Sequence, residues 1–260
     1  MRSRCLALVV HASLLLFQVL QAGAGEKAFD IPEPAFFDRV HTVVMLPCSF
    51  PRDFEKSDTL AARAAVLKPR LDSIMVATLE EVGVRTISAG EVDSVWQQFA
   101  DSLGGLYDPM TGESDSTKFA ITQLRTMSEL GSRYHPDAWI LPKVRYVLAS
   151  FRGGWANWNG VKQRMVGHTS FMKLLTKSGD GNMQGTISAL TLYVSFVDMQ
   201  DQPLYSWGGG LQVTATLKNG KFVDVDPSEL FVNREQSDKA VEKALEKLVK
   251  YAQKHPKAGS

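Results

Sequence analysis

The chain has 260 residues, of which 44% are hydrophobic and 22% charged, the balance of an ordinary globular protein rather than a disordered or fibrous one. Lys and Arg number 29 against 28 Asp and Glu, a net charge of +1 with no basic run along the sequence, so nucleic acid is not expected as a partner.

The amino terminus reads as a secretory leader. Arg2 and Arg4 form a positive start, Leu6 to Leu20 an apolar run, and Ala22-Gly23-Ala24 a small-x-small cleavage site. The run falls short of the roughly 20 residues that cross a bilayer, so cleavage after Ala24 is expected rather than retention as an anchor. Cys5 leaves with the leader, making Cys48 the only cysteine of the mature chain and an internal disulfide impossible. The expected product is a periplasmic or secreted single domain over residues 25–260, with no transmembrane segment, an irregular arm at 25–40 and a frayed tail at 254–260.

Within that domain, Pro32 and Pro34 mark the arm as irregular. His41 to Leu46 is a short continuous apolar run that suits a buried strand, and Cys48 to Leu60, interrupted by Pro51, reads as a loop. Leu67, Leu71, Ile74, Met75, Thr78, Leu79 and Val82 follow the three-four spacing of a helix face that stops at Gly83. A short strand over Val84 to Ser88 is followed by a second helix facing inward with Val92, Val95, Trp96, Phe99 and Leu103, ended by Gly104-Gly105. A turn-rich loop from Tyr107 to Asp115 leads to a third helix. Ser116 or Thr117 is its expected cap, Ala120, Leu124, Met127 and Leu130 its inner face, and Gly131 its end.

Ala138 to Leu148 is strand-like, with Pro142 at an edge or bulge. The glycine-rich stretch from Arg152 to Gly185 reads mainly as a long loop, with a turn or strand at Ser170 to Leu175. Leu190 to Val197 alternates as a strand and turns at Met199 to Gln202. A returning strand follows, broken at Gly208-Gly209-Gly210, and Asn219-Gly220 signals another turn. Val241, Ala244, Leu245 and Leu248 stripe a terminal helix. The order predicts an α/β (α+β) fold: a mixed central sheet with flanking helices, a carboxyl-terminal β-meander and a closing helix.

This pattern resembles a group of bacterial envelope domains. The carrying features are the Thr42-Val-Val-Met-Leu-Pro47 strand, the helix and Gly83-Val84 strand after it, the Pro136-Asp137-Ala138 entry to the third strand, the two meander strands with Pro203-Leu-Tyr-Ser-Trp207, and the terminal helix. The group includes the amino-terminal domain of the Tol translocation protein, the curli secretion-channel subunit and the lipoprotein activator of penicillin-binding proteins. The chain departs from it in lacking a lipobox, in placing Cys48 after the strand proline, and in the insertion from Arg152 to Gly185. What the resemblance implies is assembly or scaffolding in the envelope, without chemistry.

Chemical motifs are sparse. Cys48 is a candidate free thiol or nucleophile, weighed against its use as apolar filler. His135 beside Asp137 is a partial metal pair, weighed against a loop histidine, because no third ligand lies at helical or turn spacing. Asp108 to Asp115 carries oxygen ligands without the EF-hand spacing. Asp198 and Asp201 read as turn residues, and Gly208 to Gly210 lacks the lysine of a phosphate cradle. The most distinctive segment is Gly153-Gly-Trp-Ala-Asn-Trp-Asn-Gly160. Trp155, Trp158, Asn157 and Asn159 are the candidate binding residues, because aromatic rings among amides stack on sugars or anchor protein partners; the alternative is that both rings fold back to cap the sheet. No cofactor and no catalytic residue is expected. The leading reading is a non-catalytic binding or assembly factor whose partner is another envelope protein or a cell-wall component. A periplasmic hydrolase with scattered residues and a self-associating subunit are the alternatives.

Overall fold

The computed structural model describes residues 27–165, 184–218 and 221–255. The proposed leader, the Ser170 to Leu175 element, the Asn219-Gly220 turn and the last five residues therefore lie outside the described residues. The fold is α/β, with a mixed, curled central sheet and a carboxyl-terminal helix. Strands β1 (Thr42–Met45), β2 (Arg85–Ile87), β3 (Ala138–Arg152), β4 (Trp155–Trp158) and β5 (Val161–Arg164) lie in the order β2-β1-β3-β4-β5. Strand β6 (Gln184–Asp198) pairs with β3 and with β7 (Pro203–Val213), while β8 (Ala215–Lys218) and β9 (Lys221–Asp224) form a separate hairpin. The chain divides into two compact units.

Among the described residues, the first unit comprises residues 27–46, Arg85–Ile140 and Phe196–Tyr205. Strand β1 pairs in parallel with β2 (Thr42↔Arg85) and with the start of β3 (Val43↔Ala138). Val43, Val44 and Met45 are wholly buried, which accounts for an unbroken apolar run where a half-exposed strand would alternate. The arm expected to be irregular instead forms helix α1 (Glu33–Arg39), with Pro32 at its N-cap and Pro34 in its first turn. Proline is suited to that turn because its missing N–H would have no intrahelical partner there. The helix is held by Phe36, fully buried edge-on to Phe29 and Phe196 and tilted against Tyr205 in the same cluster.

Two further helices, α4 (Ala89–Ser102) and α5 (Ser116–Tyr134), complete this unit and pack on each other. Helix α4 (Ala89–Ser102) buries Val92 and Val95 as the periodicity predicts. Helix α5 (Ser116–Tyr134) departs from expectation at both ends. Its cap is Asp115, whose carboxylate accepts from the Thr117 and Lys118 amides at 3.0 Å, and it runs past Gly131 to a left-handed cap at His135. Its inner stripe is Thr122, Thr126 and Leu130, whereas Leu124 is 51% exposed. Two threonines, hydroxyls included, are thus buried where aliphatic size suggested leucine.

The second unit comprises the described residues within Pro47–Val84, Leu141–Ser195 and Ser206–Ser260. The expected loop at 48–60 instead folds as helix α2 (Arg52–Glu55), with Pro51 at its N-cap, followed by the start of helix α3 (Asp58–Glu81). Ser57 caps α3 by accepting from the Leu60 amide. The helix buries Leu67, Leu71, Met75 and Leu79 and packs on the terminal helix α6 (Arg234–Lys254), to which Arg70 adds a two-pronged bridge to Asp238 at 2.9 and 2.7 Å. All four predicted stripe residues of α6 are buried.

The triple glycine does not break the strand; β7 runs through it. A Cβ on Gly209 would sit 1.8 Å from the Ala240 carbonyl oxygen of α6, and one on Gly210 would sit 2.8 Å from the Trp158 ring. The glycines let a helix backbone rest on one face of the strand and an indole on the other. The turn after β4 returns over β7, where the Gly210 amide donates to the Asn159 carbonyl at 3.2 Å and the Val213 amide to Gln163 Oε1 at 3.1 Å. The sheet curls around an apolar interior that includes Ala149, Phe151, Ala156, Trp158, Ile187 and Leu217.

Candidate functional site

The segment read as a glycine-rich loop is, through Arg164, two consecutive β-hairpins. Gly153 and Gly154 (φ 56° and 80°) connect β3 to β4, and Asn159 and Gly160 (φ 40° and 73°) connect β4 to β5. Two-residue connections with both φ values positive match the right-handed twist of the strands, and Asn-Gly and Gly-Gly are the pairs that adopt them at least cost. Those two dipeptides were the available signal for the hairpins.

This pairing separates the four sequence-chosen residues into three settings. Trp158 is only 7% exposed, and its Nε1 donates to the Leu190 carbonyl at 3.0 Å. It is therefore a core ring resting on Gly210, and the exposed-anchor reading is corrected for it. Asn159 belongs to a polar network: its amide donates to the Tyr193 hydroxyl at 3.4 Å and its carbonyl accepts from the Thr191 hydroxyl at 3.2 Å. The Arg145 guanidinium lies 3.3 Å from the Tyr193 ring centroid, and a Cβ on Gly208 would collide with Asn159. Trp155 and Asn157 alone remain on the outer face, Trp155 with 37% of its surface exposed.

Strand register assembles a surface around those two. Arg152 pairs with Trp155, and Trp155 with Arg164, so two guanidinium groups flank one indole along a single cross-strand row. The adjacent row is Ser150, Asn157 and Lys162. The Lys162 ammonium reaches diagonally to 4.7 Å from the Trp155 ring centroid, within cation–π distance. The same parity along β3 leaves Leu148 74% and Tyr146 44% exposed, the Tyr146 hydroxyl donating to Asp53 at 2.5 Å. Burial, and then the Asp53 carboxylate, push that phenol's pKa up, keeping it protonated. The face thus carries basic side chains at one end and apolar ones at the other. Its charge is invisible along the sequence because Arg152, Lys162 and Arg164 are brought together by two turns.

The remaining candidates serve structure. Cys48 is buried at 5% exposure, its thiol directed at the Ser49 carbonyl 3.9 Å away. Burial, reinforced by the Asp72 carboxylate, pushes the thiol's pKa up, the reverse of what a nucleophile or metal-binding thiolate needs. His135 is a helix cap, and Asp137 accepts from the His41 and Thr42 amides at 2.9 and 2.8 Å, fixing the entry to β1. Asp108 accepts from the Met110 and Thr111 amides, and these bonds hold its carboxyl below the ordinary range. Asp198 closes the β6–β7 turn through the Gln200 and Gln202 amides at 2.9 Å and meets Arg39 at 3.5 Å. These last two side chains, with Val40, Pro136, Met199 and Leu204, line a shallow cleft of about 310 Å³ in the first unit. Among the described residues, no three His, Cys, Asp or Glu side chains converge as a metal site would require, and no helix is long and apolar enough to cross a membrane. No protein-family profile matches the chain, and no curated protein matches it.

Proposed function

We propose that the protein is an exported, non-catalytic binding or assembly factor of the bacterial envelope that docks its partner on the outer face of β3, β4 and β5. The observation that supports this reading is the register itself. It places Trp155 on the same solvent-facing side of the sheet as Leu148 and Tyr146, each with more than a third of its surface exposed, and exposed aromatic side chains on a strand surface serve as anchors for a partner. The candidate nucleophile is buried and protonated, and the carboxylates considered as ligands are engaged with backbone amides, so a rigid platform for binding fits better than a hydrolase.

Co-sedimentation with isolated cell envelopes tests the proposal. The wild-type protein should pellet with them. A Leu148→Glu/Trp155→Ala double variant should remain in the supernatant while its thermal unfolding stays within a few degrees of wild type. Equal pelleting of the two proteins contradicts the docking face.

A further inference from the structure

We infer that the cleft of the first unit binds a free α-amino acid with an aliphatic side chain. The inference stands apart from the docking face, because the cleft's lining belongs wholly to the first unit and Leu148 and Trp155 to the second. The first argument is the set of charges. Asp198 is only 7% exposed, and a carboxylate so far from water needs partners. Its Oδ1 takes the two turn amides, whereas its Oδ2 meets the Arg39 guanidinium at 3.5 Å. A charge-assisted hydrogen bond closes to about 2.7–2.9 Å, so this pair is loosely made. Arg39 has 54% of its side chain in solvent, and an exposed ion pair opens at little cost. A zwitterion satisfies both halves, its ammonium on Asp198 Oδ2 and its carboxylate on the forked guanidinium. A ligand with an anion alone would meet the Asp198 and Asp137 carboxylates, and one with a cation alone would meet Arg39.

The second argument is spacing and lining. The two charged receptors lie 3.5 Å apart, so the two charges of the ligand must also be close together. An α-amino acid carries both on one carbon, whereas a dipeptide separates them by a whole peptide unit. The rest of the wall is apolar: Val40, Pro136 and Leu204 are buried beneath it and Met199 is 42% exposed beside it. These groups suit an aliphatic side chain, which leaves water on entering. The volume of about 310 Å³ stands at the small end of ligand sites, in keeping with a single amino acid.

The test is calorimetric titration of the full chain with racemic leucine, leucinamide, 4-methylpentanoate and leucylglycine. Leucine should bind saturably, with a Kd below about 1 mM. The amide lacks the carboxylate, the pentanoate lacks the ammonium and the dipeptide parts the two charges. Each should bind roughly tenfold more weakly or worse, the factor that one hydrogen bond to a charged group is worth. Arg39→Gln should weaken leucine binding by about the same factor and remove the preference for leucine over leucinamide. Because Asp198 also closes a turn, the second variant is Met199→Trp, which fills the cleft without altering either charge and should abolish binding. Thermal unfolding of both variants should stay close to that of wild type. Absence of saturable leucine binding to the wild-type chain, leucinamide binding as tightly as leucine, or leucine binding unchanged in both variants overturns the inference.

Discussion

At the scale of single residues, the sharpest contrasts are between chemically identical side chains in different settings. Gly209 and Gly131 are both glycines inside regular elements. The first has a helix carbonyl where its Cβ would be, and the second has open space. Gly209→Ala should cost about 3 kcal/mol through overpacking, and Gly131→Ala should stabilise by about 0.5–1 kcal/mol through helix propensity. Urea unfolding of the two variants checks both signs. Cys48 gives a pH prediction. Its thiol pKa is higher folded than unfolded, so the unfolded chain alone releases the proton above about pH 8.5. The associated stability is intact below that pH and is lost above it, by up to about 1.4 kcal/mol per pH unit. Unfolding curves at pH 7 and pH 10 should therefore diverge more for wild type than for Cys48→Ala; parallel losses contradict the assignment.

At the scale of elements, helix α3 carries an exposed proline, Pro69, in its interior. Such a proline forgoes one backbone hydrogen bond and crowds the preceding turn. Pro69→Ala should raise stability by about 1–3 kcal/mol, measured as a shift in the urea midpoint; a drop would mean that the proline is needed for the helix's path. The Arg70–Asp238 bridge between α3 and α6 has good geometry, but both partners are more than a third exposed. Its removal by Arg70→Ala should cost no more than about 1 kcal/mol. Helices with clear apolar periodicity were legible beforehand: α4 and α6 buried the faces their spacing marked. Helix α5 defies its apolar spacing because Thr122 and Thr126, polar by name, are buried with their hydroxyls while Leu124 faces water. The short α1 and α2 were missed because proline was read as a breaker. At a helix N-cap or first turn its fixed φ and missing amide proton are no hindrance.

At the scale of the whole molecule, the proposed export predicts a mature chain beginning at Gly25. Intact-mass measurement on protein recovered from an exporting bacterium checks this; a cytosolic form retaining Met1 to Ala24 removes the envelope setting from the proposal. The α/β class, the buried parallel strand and the terminal helix followed from the sequence alone, because apolar periodicity is a local property set by backbone geometry. The candidate site did not. Which of Trp155, Asn157, Trp158 and Asn159 faces water depends on strand parity. The gathering of Arg152, Lys162 and Arg164 depends on register across two hairpins, and the role of Gly209 depends on a helix more than thirty residues away in sequence. These are non-local pairings, and a one-residue slip in register would reverse every one of those orientations, so only the tertiary structure could decide them.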